Sequence, residues 1–386
     1  MDTPRAASRN GEFTLPPCST RLIAILLIAL GGSSLLSPGA SVASTLSSDP
    51  VQQVMICISN ERGGSVSLIN PVDLSTSDAI PVGKRPRGIH ASPDGRFLYV
   101  AVSGTPIGGP PVLDDSGRPI EREIDPSLVD EAAHGIVVLD LENREVVRRL
   151  SAGSDPEEFG LTPGGTRLFV SNEDVGTVTA LDPSTGEVLG IMRVTEEPEG
   201  VTVSPDGKHV WVTCETDGDI FVFDTDSFEE VAKLRLGGRP RTVTFDRNGG
   251  VAWIPSETTG ELHEVDAKRR EVRRTVKLPA GARPMDVAVS PSGDTLYVST
   301  GRYGKVCVLD AGSLELRKEI AVGPRPWGLV VSPDGSRVFV ANGPSNDVSV
   351  LDAVEGREIA KIRVGESPWG AAVVVRQGGS RTSPSR

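Results

Sequence analysis

One short phrase recurs seven times along this chain, and its spacing restricts the fold more than any other feature of the sequence. It reads RPRGI from Arg85, DPEEF from Asp155, EPEGV from Glu197, RPRTV from Arg239, RPMDV from Arg283, RPWGL from Arg325 and SPWGA from Ser367. Its prolines, Pro86, Pro156, Pro198, Pro240, Pro284, Pro326 and Pro368, are separated by 70, 42, 42, 44, 42 and 42 residues. A period near 42 accommodates four short strands and their tight turns, which is one blade of a β-propeller. Seven phrases predict an all-β, seven-bladed propeller that overrides the two or three domains suggested by 386 residues alone.

The repeat from Pro198 shows the pattern. GVTVS alternates as a half-buried strand a, Ser204 to Gly207 (SPDG) makes a turn, HVWVT is strand b, DIFVFD is strand c and VAKLRLG is strand d. Proline sets φ and glycine supplies positive φ in the turn. Before Pro86 the chain holds segments matching strands b, c and d without an a, and after Pro368 it holds GAAVVV, matching a alone. One blade is therefore expected to be closed by three N-terminal strands and one C-terminal strand, leaving no open sheet edge. We number this split blade 1 and the blades from Pro86 to Pro326 as 2 to 7. The first gap predicts an insertion at about 104–133 in blade 2, between strands b and c, with one helical turn near Pro126.

The first 43 residues read as a signal peptide. Arg5, Arg9 and Arg21 precede LIAILLIAL, and Ser41 and Ala43 suit a cleavage site. This predicts a propeller over 44–375, a disordered tail at 376–386, and a periplasmic or extracellular location; retention of the leader as an anchor is the alternative. The leader carries a net +1, so removing it takes the formal charge from −12 to −13. That acidity disfavours nucleic acid and anionic membranes as partners. Cys57, Cys214 and Cys307 fall in three different repeats, and no disulfide is expected.

The strand b signatures read YVAV at Tyr99, FVSN at Phe169, WVTC at Trp211, WIPS at Trp253, YVST at Tyr297 and FVAN at Phe339. They resemble the Tyr-Val-Thr-Asn pattern of the YVTN family of β-propeller repeats. The order of the phrases RPRGI, DPEEF, EPEGV, PSETTG, ANGPSNDVSVLD and SPWGA is similar to that of propellers associated with pyrroloquinoline quinone-dependent alcohol catabolism. The resemblance spans about 54–375. It implies a secreted or periplasmic propeller encoded near quinoprotein dehydrogenases and their c-type cytochromes. It supplies no catalytic residues, and the blade 2 insertion departs from its compact pattern.

The phrases sit on the d-to-a turns, which in propellers crowd the channel mouth. Arg85, Arg87, Asp155, Glu157, Glu158, Glu199, Arg241, Arg325, Trp327 and Trp369 are the candidate binding residues, with the insertion as a lid. They form an acidic arc at blades 3 and 4, flanked by basic blades 2 and 5 and faced by an Arg–Trp arc at blades 7 and 1. The bland reading is mutual neutralisation of arginines and carboxylates, with tryptophans covering turns. Trp211 and Trp253, and the strand c aspartates Asp140, Asp182, Asp224, Asp266, Asp310 and Asp352, read as packing residues and turn caps. His90, His134, His209 and His263 lack metal-ligand spacing, and no CxxCH is present. The expectation is a monomeric, non-enzymatic propeller without cofactor or metal, binding a small ligand or a partner such as a periplasmic quinoprotein dehydrogenase or c-type cytochrome. A lactonase-like hydrolase, whose Arg–Glu mouth polarises a lactone and positions water, and a surface adhesion module are the alternatives.

Overall fold

The computed structural model describes residues 53–107, 112–113, 119–120 and 125–376. The predicted leader and all but the first residue of the predicted tail lie outside them. Seven four-stranded antiparallel sheets are present, each running in the order a-b-c-d. Blade 4 follows the sequence reading closely, with strands Pro198–Val203, His209–Cys214, Asp219–Asp224 and Glu230–Arg235. Blade 1 joins Pro368–Arg376 as strand a to Gln53–Asn60, Ser65–Ile69 and Ile80–Pro81. Gln53 pairs with Arg376 and Cys57 with Ala372 in that closure. The insertion leaves blade 2 after Phe97–Val102 and returns at Gly135–Asp140. It holds a short ladder, Val112–Leu113 with Pro119–Ile120. The helical turn expected near Pro126 is instead two 3-10 turns, Pro126–Leu128 and Glu131–Ala133.

The core lies between blades. Phe169, Val178 and Met192 of blade 3, for example, pack on Val201, Val210 and Val212 of blade 4. Trp211 and Trp253 are buried there, as their strand b position implies. Hydroxyls at the third place of the strand b signature join one blade to the next. Thr213 Oγ1 accepts the Gly200 N–H at 2.8 Å and donates to the Arg241 carbonyl at 2.6 Å. Ser59 does the same for Gly370 and Arg87, and Ser299 for Asp286 and Trp327. At the fourth place the amides of Asn60, Asn172 and Asn342 donate to strand c side chains. The strand c aspartates accept turn N–H groups, as in Asp224 with Asp226 and Ser227, which accounts for their recurrence. Cys57, Cys214 and Cys307 are buried free thiols, and burial pushes Cys214 up to about 11.

Candidate functional site

The phrase turns and the b-to-c loops are tied to each other around the mouth. The N–H of Glu61, Glu173, Glu215 and Glu257, each opening a b-to-c loop, donates to the carbonyl of Ser367, Asp155, Glu197 and Arg239 respectively. Those acceptors stand before the phrase prolines. Six of the seven pre-proline residues have φ between 42° and 57°, Arg283 being the exception. A residue before proline normally stays extended, so the mouth is shaped by strained backbone.

Two buried arginines organise the charge. Arg87 reaches Asp155 at 2.8 Å, Glu157 at 3.1 Å and Glu173 at 3.2 Å, and is 3% exposed. Burial alone would lower its pKa, but Glu157, Asp155 and Glu173 more than offset this and raise it. Arg241 contacts Glu199, Glu215 and Glu257. Glu257 stays below the usual carboxylate range because the Arg241 charge outweighs its burial. Glu173 goes the other way. Burial, and Glu157 beside it, hold its carboxyl well above the ordinary value despite Arg87. A carboxyl held above its ordinary value beside a second carboxyl is an arrangement that general acid–base work can use.

Arg325 differs from both. Among the described residues it has no carboxylate within ion-pair distance. Its guanidinium lies over the Trp327 ring at 4.9 Å, and Arg241 approaches the same ring at 5.4 Å. Trp327 and Trp369 are 5.6 Å apart between centroids. These groups line a cavity of about 650 Å³ that also holds Arg85, Arg87, Glu157, Glu173, Glu215, Arg239 and Ile107 of the insertion.

Below the tryptophans lies a separate chamber of about 320 Å³, reaching Pro205 in an a-to-b turn. The two cavities share only Trp327 and Trp369 among their lining residues, so the tryptophan pair divides the channel. Sequence reasoning put all ten candidate residues at one mouth. Arg85, Arg87, Glu157, Arg241, Arg325, Trp327 and Trp369 do line it. Glu158 and Glu199 line the lower chamber instead. Asp155 is buried under Arg87. The mutual neutralisation foreseen for the ring holds at Arg87 and Arg241 and stops at Arg325. Glu173, Glu215 and Glu257 were not foreseen as site residues, although they occupy one repeat position at intervals of 42. His134 is a packing residue, its Nδ1 accepting the N–H groups of Gly104 and Asp155.

Fold and site together define a seven-bladed propeller with a charged, tryptophan-floored mouth. The sequence matches the family described as lactonase, seven-bladed β-propeller, over residues 51–204 and 193–357, and the chain belongs to that family. Solved structures agree in fold. A candidate 6-phosphogluconolactonase of Bacteroides uniformis is 18% identical with a TM-score of 0.66, covering 83% of this chain and 99% of that one. One from Bacteroides fragilis is 17% identical with a TM-score of 0.65, covering 83% and 98%. Hydrazine synthase of Kuenenia stuttgartiensis is 18% identical with a TM-score of 0.63, covering 74% and 89%. No curated protein matches.

Proposed function

We propose that this protein hydrolyses a lactone at the mouth cavity, the alternative raised by the sequence, in place of a purely binding role. One observation carries the reading: the Glu157–Glu173 carboxyl pair, gripped by Arg87, shares a cavity with the Arg325 guanidinium, which has no carboxylate partner among the described residues. Arg325, held against Trp327, polarises the lactone carbonyl and stabilises the oxyanion that forms there. The Glu157 carboxylate takes a proton from water as its oxygen bonds to the acyl carbon. The ring C–O bond then breaks, and the Glu173 carboxyl donates its proton to the departing ring oxygen. The product is the open hydroxy acid. Membership in the lactonase family and the likeness to the two candidate 6-phosphogluconolactonases of Bacteroides support the substrate class. Arg325, without a carboxylate partner among the described residues, favours lactones bearing a carboxylate or phosphate.

The test is acid release from a panel of five- and six-membered lactones, with and without an anionic substituent, against spontaneous hydrolysis. Glu173→Gln and Arg325→Ala should each lower kcat/KM about 100-fold or more, equivalent to about 2.7 kcal/mol, at unchanged melting temperature. No turnover above background in the parent would retire the proposal. Saturable lactone binding without turnover would return the site to the binding role expected from sequence, and a periplasmic quinoprotein or cytochrome would then be the partner to seek.

A further inference from the structure

The lower chamber takes no part in that chemistry, and its composition breaks the repeat. At the second place after each phrase proline stand Gly88, Glu158, Gly200, Thr242, Asp286, Gly328 and Gly370. Small residues are needed there because neighbouring strands approach closely. A Cβ at Gly200 would lie 2.2 Å from the Arg241 carbonyl oxygen, and one at Gly370 would lie 2.7 Å from that of Arg87. Glu158 and Asp286 are the exceptions, and both line the chamber. Gly88 leaves room for one of them, since a Cβ at Gly88 would meet Glu158 Oε1 at 2.5 Å.

The charge balance also differs from that of the mouth. Among the described residues, the titratable groups lining the chamber are His90, Glu158, Glu199 and Asp286, with no lysine or arginine. Glu199 is neutralised by Arg241 across the tryptophan floor. His90 Nε2 pairs with Glu158 Oε1 at 2.8 Å. Among the described residues the donors to Asp286 are neutral: the N–H groups of Val287 at 2.8 Å and Leu329 at 3.2 Å, with the Thr242 hydroxyl beside them. A carboxylate desolvated in this way recruits either a proton or a cation. Val201, Val203, Val243 and Phe245 make an apolar stretch of the remaining wall beside the threonines Thr202, Thr242 and Thr244, and that stretch suits a carbon chain better than a hydrated inorganic ion. Trp327 and Trp369 close the top with aromatic rings, which attract organic cations.

We propose that the lower chamber is a second binding site, for a short primary alkylammonium, with the ammonium between Asp286 and Glu158 and the chain against Val201, Val203 and Phe245. Such a ligand enters from the face opposite the mouth, where Pro205 lies, and its binding does not depend on lactone hydrolysis. The probe is n-butylammonium chloride, titrated calorimetrically at pH 7.5 into the purified chain, with n-butanol and potassium chloride as controls. Saturable binding is expected, at least 10-fold tighter than n-butanol, absent with potassium, and weakened at least 10-fold in Asp286→Asn. Arg325→Ala should leave it unchanged. Should Asp286→Asn fail to fold, Glu158→Gln supplies the same comparison. No binding by the parent, equal binding of n-butanol, or unchanged affinity in a folded carboxylate variant would overturn the assignment.

Discussion

A single carboxyl can set the acid–base behaviour of a channel when nothing nearby compensates it. Asp286 is pushed up to about 6 from 3.8, chiefly by burial, with its N–H donors only partly opposing this and Glu158 adding to it. Between those values the folded chain keeps a proton that the unfolded chain has released. The contribution is therefore favourable at low pH and is lost as pH rises through about 6. Melting curves from pH 4 to 7 should show the parent losing stability relative to Asp286→Asn, by about 1–3 kcal/mol across the range. Parallel profiles would mean that Asp286 is not desolvated in solution. Phrase position alone did not reveal this residue, because aspartates recur throughout the chain as turn caps. What matters is a step of about 3.3 Å along strand a: in blade 3 the residue just after the proline, Glu157, meets the mouth while the next, Glu158, meets the lower chamber, whereas in blade 6 Met285 and Asp286 both meet the lower chamber. The proline register was legible in the sequence; the tryptophan floor that gives adjacent residues different compartments was not.

Each blade depends on its neighbours through few polar contacts. The Thr213 hydroxyl is fully buried and serves both the Gly200 N–H and the Arg241 carbonyl. Thr213→Val keeps the shape and leaves both backbone groups unpaired, which should cost about 1–3 kcal/mol. Chemical denaturation would read this as a lower midpoint at unchanged slope, whereas an unchanged midpoint would show that the clamp is dispensable. This hydroxyl explains the third letter of the strand b signature, as the asparagine amides explain the fourth. Strand identity and order were readable because alternation and turn residues agree in every repeat. The b-to-c loops were harder to read. Glu173, Glu215 and Glu257 share one register, but their role arises only where they converge on Arg87 and Arg241 from another turn, and such convergence has no local signature.

At the scale of the ring, closure rests on one nine-residue strand, Pro368–Arg376. Its removal would expose the edge of Gln53–Asn60 and strip Met55 and Cys57 of the Ala372 and Val374 they pack with. A chain ending at Glu366 should aggregate or sediment as oligomers, whereas a monomer melting like the parent would contradict closure through blade 1. The same strand has a consequence for how the molecule is made. Val54 and Val375 are paired, so the strand Gln53–Asn60 waits for Pro368–Arg376 to be synthesised before its sheet is complete. Six blades can fold in order as they emerge, but the seventh is a long-range loop closure. Circular permutation offers a way round this. Joining Gln53 to Arg376, which are paired in one sheet, and opening the chain within the blade 2 insertion would make blade 1 a contiguous unit and move the seam to a blade whose strands are already separated.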